Sequence, residues 1–176
     1  IMYRNFIEGA GSRAIGVGYP EKLNLAFDAN ELRLAMVWHN GFMDAARHWN
    51  GRGQGYEPPL GDNVVKLPDG APFASLPSAA EEWPKKKAKE LGHQFNGYRL
   101  GEKRRPTFLY SFNGIQVEDE PSPKGDAGAF VLQRKFTLKA ESAAPADLQY
   151  RAAVADKIEE VSGGYKINVA VVVRIT

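Results

Sequence analysis

The sequence predicts an all-β protein with minor α content, an antiparallel β-sandwich of roughly ten to twelve strands with a long Pro/Gly-rich covering segment. Three observations predict it. Apolar residues recur at every second position in several stretches: Leu23, Leu25 and Phe27; Phe108, Tyr110 and Phe112; Phe130, Leu132, Phe136 and Leu138. Turn chemistry separates such stretches at Asp28-Ala29-Asn30, Asn40-Gly41 and Asn113-Gly114. No helical pattern of ten or more residues, the length a βαβ crossover requires, lies between them. The 176 residues read as one domain, 1–176, with residues 50–92 as a loop-rich insertion.

Met2 to Ile7 is a short strand, broken by Gly9-Ala10-Gly11. The Gly9-x-Gly11 pair is no dinucleotide fingerprint, because Gly16, Gly18 and Pro20 interrupt any following helix. Arg13 to Tyr19 and Lys22 to Phe27 are strands, and so is Glu31 to His39, with Leu32, Leu34, Met36 and Trp38 expected on one face. Gly41 to Trp49 fits either a strand or one to two helical turns. Asn50-Gly51-Arg52-Gly53-Gln54-Gly55 is irregular, because freezing so much glycine backbone without side-chain contacts is costly. Six prolines from Pro58 to Pro84 remove amide donors, leaving room only for short edge strands near Val64 to Leu67 and Phe73 to Leu76.

Ser78 to Leu91 is the one helix-compatible stretch, polar enough to lie on the surface and ended by Gly92. Gln94 to Leu100 and Thr107 to Phe112 are strands, and Asn113-Gly114 turns the chain into Ile115 to Glu118. Glu120 to Gly128 reads as a Pro/Gly/Asp loop. Ala129 to Leu138, Leu148 to Val154 and Tyr165 to Ile175 complete the strands, the last with Ile167, Val169, Val171, Val173 and Ile175 on one face.

Composition limits function. Lys and Arg total 23 against 21 Asp and Glu, a net charge of +2, which gives no clustered basic face for nucleic acid. The runs Lys85-Lys86-Lys87 and Lys103-Arg104-Arg105 read as solvated loops. Absence of cysteine excludes disulfides, thiolate zinc sites, a cysteine nucleophile and CxxCH haem attachment within the segment. No apolar run approaches the roughly 20 residues of a membrane-spanning helix. The chain does not open on a signal-peptide pattern, and its start at Ile1-Met2 suggests a processed protein or a piece of a longer one.

Few residues suggest chemistry. His39, His48 and His93 belong to no spaced metal motif, although Asp44 beside two histidines would be the donor set of a two-histidine, one-carboxylate centre. The run Glu118-Asp119-Glu120 reads as a solvated turn rather than a glycosidase acid pair. Ser12 and Ser75 lack a nucleophile elbow. Arg134 falls on an otherwise apolar strand face, so its guanidinium requires a carboxylate or carbonyl partner. Trp38, Trp49, Tyr56 and Trp83 would make a stacking platform for sugar rings, unless the first two are core. The ligand-binding candidates are Asp44, Arg47, His48, Trp49, Arg52 and Tyr56, concentrated on the glycine-rich connector from Asn40 to Asp62. No catalytic or metal-binding residue is assigned.

Read together, RAIGVGYP, NLAFDANELRLAMVWHNGFMDAARHWNGRG and PPLGD, followed by RPTFLYSFNGIQVEDEP and FVLQRKFTL, resemble an uncharacterised β-rich module of large exported bacterial proteins that also carry c-type cytochrome (CxxCH) domains. The resemblance implies an exported, periplasmic or extracellular location and a place beside electron-transfer domains. Any haem c would sit on a partner chain or another domain, and no cofactor is expected in this segment. The expected role is a non-catalytic binding or assembly module taking carbohydrate or a protein partner. The alternative is a carbohydrate-active enzyme of sandwich fold using acidic or histidine residues of the Gly-rich loops. An enzyme would show two ionisable side chains facing each other in a cleft, a binding module an exposed aromatic shelf or flat apolar patch.

Overall fold

The alternating stretches form strands, and the computed structural model is all-β, with fourteen strands and only short 3-10 turns among the described residues. Those residues are 1–51, 55–78, 80–126, 128–143, 145–168 and 171–176, with Trp49 described by its backbone alone. A five-stranded antiparallel sheet runs in the order β1 (Met2–Ile7), β2 (Gly11–Gly18), β3 (Leu23–Asp28), β4 (Arg33–His39), β5 (Asp62–Lys66). A four-stranded antiparallel sheet has β10 (Val131–Ala140), β9 (Ile115–Lys124), β8 (Pro106–Phe112) and β7 (Gln94–Leu100). Two small sheets accompany them: β6 (Phe73–Ser75) with β11 (Leu148–Tyr150), and the meander β12 (Ile158–Val161), β13 (Gly164–Ile167), β14 (Val171–Val173).

The two large sheets share one core. Ile15, Val17, Leu25, Phe27 and Leu34 from the first meet Phe108, Tyr110, Phe112, Ile115 and Val117 from the second. Phe27 and Phe108 stack across the gap with centroids 4.0 Å apart and planes 9° apart. Each such ring, removed from water, contributes on the order of 2 kcal/mol. Phe73 of β6 extends this core, stacking on Phe112 at 5.5 Å.

Strand β3 is buried along its whole length because the first sheet is covered on both faces. Its second face carries a separate cluster of Ile7, Ala10, Ala14, Ala26, Ala35, Met36, Trp38 and Met43. A β-bulge divides β4 between the two cores: Ala26 pairs with Met36 while Phe27 pairs with Leu34, leaving Ala35 as the extra residue. Leu34 therefore joins the sandwich core, and Ala35, Met36 and Trp38 face the other way. The expected single face of Leu32, Leu34, Met36 and Trp38 is corrected accordingly.

Other expectations change for physical reasons. The helix-compatible stretch Ser78 to Leu91 yields, among its described residues, only a 3-10 turn at Ala88–Leu91, closed by Gly92 in the left-handed conformation. The Glu120 to Gly128 loop is largely strand, since β9 continues through Pro121 and Pro123 to pair with β10. Strand β8 reaches β9 only as far as Asp119, so these prolines lie where β9 has become an edge on that side. Leu148 to Val154 keeps only Leu148–Tyr150 as strand. The single strand Tyr165 to Ile175 is two paired strands, β13 and β14, with Asn168 at positive φ between them and Val169 outside the described residues. Within residues 50–92, β5 and β6 fall where short edge strands were expected.

Candidate functional site

The connector from β4 to β5 packs onto the second face of the first sheet because that face is built from small residues. Gly16 and Gly18 leave the space that Phe42 and Met43 fill: a Cβ on Gly16 would stand 2.9 Å from Met43 Cε and 3.1 Å from Phe42 Cζ. Trp38 fixes the start of the connector, its Nε1–H donating to the Gly41 carbonyl at 2.7 Å and its ring stacking on Phe42. Asp44 then caps a 3-10 turn, Ala45–Trp49, by accepting from the Ala46 amide at 3.0 Å.

The return of the connector is held by Glu57. Its backbone forms a parallel bridge with Ile7: the Glu57 amide donates to Phe6 O at 2.8 Å and the Glu8 amide to Glu57 O at 2.9 Å. Its carboxylate is fully buried and meets His48, with Oε1 2.9 Å from Nδ1. In the neutral imidazole this carboxylate places the proton on Nδ1 and leaves Nε2 as an acceptor. That is the arrangement of a general base and its orienting acid. Here, however, His48 Nε2 and Glu57 Oε2 are both shielded from solvent and have no hydrogen-bond partner among the described residues. No exposed nitrogen is offered to a substrate, so the pair acts as a clasp on the loop.

One consequence of the clasp is the position of Tyr56. Its ring lies 5.8 Å from that of Phe6, tilted by 48°. Both remain about half exposed, Phe6 at 48% and Tyr56 at 52%, on backbone fixed by the Ile7–Glu57 bridge. Arg4, exposed and two residues before Phe6, shares its side of β1. Half-exposed aromatic rings held rigidly side by side form a shelf.

Of the six predicted residues, the structure brings His48 and Tyr56 to either side of Glu57. Asp44 serves as a cap, and Arg47 is half-buried in the same 3-10 turn. The Trp49 side chain and Arg52 lie outside what is described. The expected sugar platform of Trp38, Trp49, Tyr56 and Trp83 is not assembled from its described members: Trp38 is core, and Trp83 bonds Ala71 O beneath the Arg151 guanidinium. Glu57 and Phe6 were missed. Glu57 gave a weak signal, an acid inside the glycine- and proline-rich connector; Phe6 gave none.

A cleft of about 450 Å³ opens elsewhere, lined by Glu21, Lys22, His39, Asn40, Asn63 and Phe130 among others. Three of these, Lys22, Asn40 and Asn63, have positive φ (59°, 67° and 53°), a conformation that non-glycine residues adopt at some energetic cost. His39 Nε2 donates to Phe130 O at 3.1 Å, and Nδ1 is buried with no hydrogen-bond partner among the described residues. Glu21 is engaged by Arg105 through one oxygen, and the other has no partner among the described residues. Among the described residues no group of three or more His, Asp or Glu could hold a metal ion. None of the described helices is long and apolar enough to cross a membrane.

Arg134, predicted to need a partner, makes three hydrogen bonds and lies over the Phe136 ring. Nε and Nη2 donate to Asp119 at 3.2 and 2.5 Å, and Nη1 to Tyr150 Oη at 2.9 Å. Asp119 is thus no solvated turn residue; it is buried within β9. The pairing joins β9, β10 and β11 and reads as architecture. No protein-family model, curated protein or solved structure matches the chain.

Proposed function

We propose that this chain is a non-catalytic binding module whose contact surface is the Phe6–Tyr56 shelf, and that its ligand is a carbohydrate. The observation that carries this reading is the pair of half-exposed aromatic rings 5.8 Å apart on pinned backbone. Flat apolar rings match the CH faces of pyranoses, and rigid presentation lowers the ordering cost of binding. The exported location, and a c-type cytochrome domain or subunit as neighbour, are supported by the sequence resemblance alone. Any haem c belongs on that neighbour. The test is retention on insoluble polysaccharides. Wild-type protein is retained on at least one, and Tyr56→Ala or Phe6→Ala weakens retention about tenfold, the effect of losing roughly 1.4 kcal/mol of contact. Equal retention of wild type and both variants would remove the shelf from the account.

One observation favours the enzyme alternative: Glu21 and His39, both ionisable, line the same 450 Å³ cleft. Under that reading Glu21→Gln and His39→Ala each abolish a glycoside-cleaving activity of the wild-type protein. No release of reducing sugar from any polysaccharide that the wild type binds would end it.

A further inference from the structure

The ladder of β1 and β2 places two arginines beside the Phe6–Tyr56 shelf. Its register pairs Arg4 with Ile15 and Asn5 with Ala14, then shifts so that Ile7 meets Gly11, which leaves Phe6 opposite both Ser12 and Arg13. Side chains alternate along a strand, so Arg4 and Phe6 share a face with Arg13 and Ile15. Across such a ladder, facing side chains stand about 5 Å apart at Cβ and diagonal ones about 7–8 Å. Ile15 is buried in the sandwich core, whereas Arg4, Phe6 and Arg13 are exposed. The core ends at Ile15, and the ladder continues as a solvent-facing rim.

The cations of this rim outnumber its acids. Among the described residues the arginines that pair with an acid are Arg33, Arg99, Arg105 and Arg134. Arg4 and Arg13 make neither an ion pair nor a side-chain hydrogen bond among those residues. The acids that neighbour the rim in the fold are engaged elsewhere. Asp28 pairs in register with Ala14, on the face of the second core, and is engaged by Arg33. Glu57 is buried against His48, and Glu31 accepts from the Ala88 amide. Within residues 2–18 the one acid is Glu8, exposed and beyond Ile7, against the two arginines.

We infer that the ligand of the shelf is an acidic polysaccharide, whose uronic acid carboxylates are received by Arg4 and Arg13 while a pyranose ring lies on Phe6 and Tyr56; this rests on the carbohydrate reading of the shelf. A guanidinium offers a carboxylate two parallel N–H donors at matching spacing. Ring and charge stand on one face within the reach of a single sugar unit and its neighbour. A neutral glycan keeps the ring contact and lacks the ion pairs. Exposed ion pairs are weak and screened by salt, so the arginines set a preference and the rings the affinity common to both.

Calorimetric titration of the full chain with oligogalacturonate and oligomannuronate, each beside its carboxyl-reduced form, tests this at about 0.01 M and about 1 M salt. In at least one series the acidic form should bind about fivefold tighter than the reduced form at low salt and about equally at high salt. Arg4→Gln and Arg13→Gln each lose part of that preference and together abolish it, with affinity for the reduced form unchanged. Equal affinity for acidic and reduced forms in both series, or a preference kept in the double variant, would overturn the inference and leave the shelf standing. Tyr56→Ala tests the shelf separately: it weakens both forms alike, and unchanged binding of both would remove the shelf. Tighter binding of a single-stranded oligonucleotide, lost in the same double variant, would overturn the inference in favour of nucleic acid.

Discussion

His48 Nδ1 stands 2.9 Å from Glu57 Oε1, and Glu57 is in turn bonded by its backbone to Phe6 and Glu8. The imidazole on the connector thereby holds the residue that sets Tyr56 beside Phe6. Replacing His48 by Ala leaves a buried carboxylate without its partner, and the expected cost is about 3 kcal/mol. Glu57→Gln, which leaves no buried charge, costs less. Urea unfolding measures both, and the Glu57 amide should exchange faster in His48→Ala than in wild type, as the bridge to Phe6 loosens.

Arg134 gives a second prediction. Lysine at this position cannot reproduce a fork that donates from Nε and Nη2 to Asp119 and from Nη1 to Tyr150. Arg134→Lys should lose about 2 kcal/mol, and Arg134→Ala about 3–5 kcal/mol, because Asp119 then stays buried and unpaired. Chemical denaturation of the three proteins checks the order; an Arg134→Lys variant as stable as wild type contradicts it.

His93 makes stability depend on pH. It is buried, stacks on Phe112 at 4.7 Å, and burial lowers its pKa from 6.5 to about 4. Between these values the unfolded chain binds a proton that the folded chain does not, so the contribution is complete above pH 6.5 and is lost as pH falls through about 4. The loss is on the order of 3 kcal/mol. His93→Phe keeps a flat ring on Phe112 and removes the titration. Its unfolding free energy should fall less than that of wild type from pH 7 to pH 4, and parallel curves would contradict the assignment.

Two glycines separate steric need from tolerance. A Cβ on Gly61 would overlap the His39 carbonyl oxygen at the end of β4 and crowd the Gly41 carbonyl of the connector, both backbone atoms. Gly61→Ala should therefore destabilise by more than about 3 kcal/mol or fail to fold. Gly101, with ordinary φ and only Arg105 O within reach at 3.8 Å, should accept Ala within about 0.5 kcal/mol. Melting temperatures of the two variants decide it.

What the sequence disclosed follows from how local each signal is. Phe108, Tyr110 and Phe112 alternate on a strand buried on one side, and Asn113-Gly114 provides the two positive φ values of a tight hairpin, 47° and 73°. Both signals are contained within a few residues, and both hold. Arg134 was identifiable as a buried cation because it breaks an apolar alternation. Its partner was not, because Asp119 sits in an acidic run that resembles a turn until β9 is seen to run on through Pro121 and Pro123.

The bulge at Ala35 was hidden for a similar reason: one extra residue reverses the facing of Met36 and Trp38 without altering the apolar pattern. At the candidate site, His48 and Tyr56 could be read from their concentration in a glycine-rich connector. Phe6 and Glu57 could not, since their roles come from contacts between segments about fifty residues apart.

The most direct test of the binding account is an NMR titration of the wild-type protein with cello-, xylo- and chito-oligosaccharides, following aromatic and backbone resonances. The account predicts that one of them shifts the Phe6 and Tyr56 ring signals and the amides of Phe6 to Glu8, while Asn40, Asn63 and Phe130 around the cleft stay unmoved. Shifts confined to the cleft, or an absence of shifts with every oligosaccharide, would contradict it.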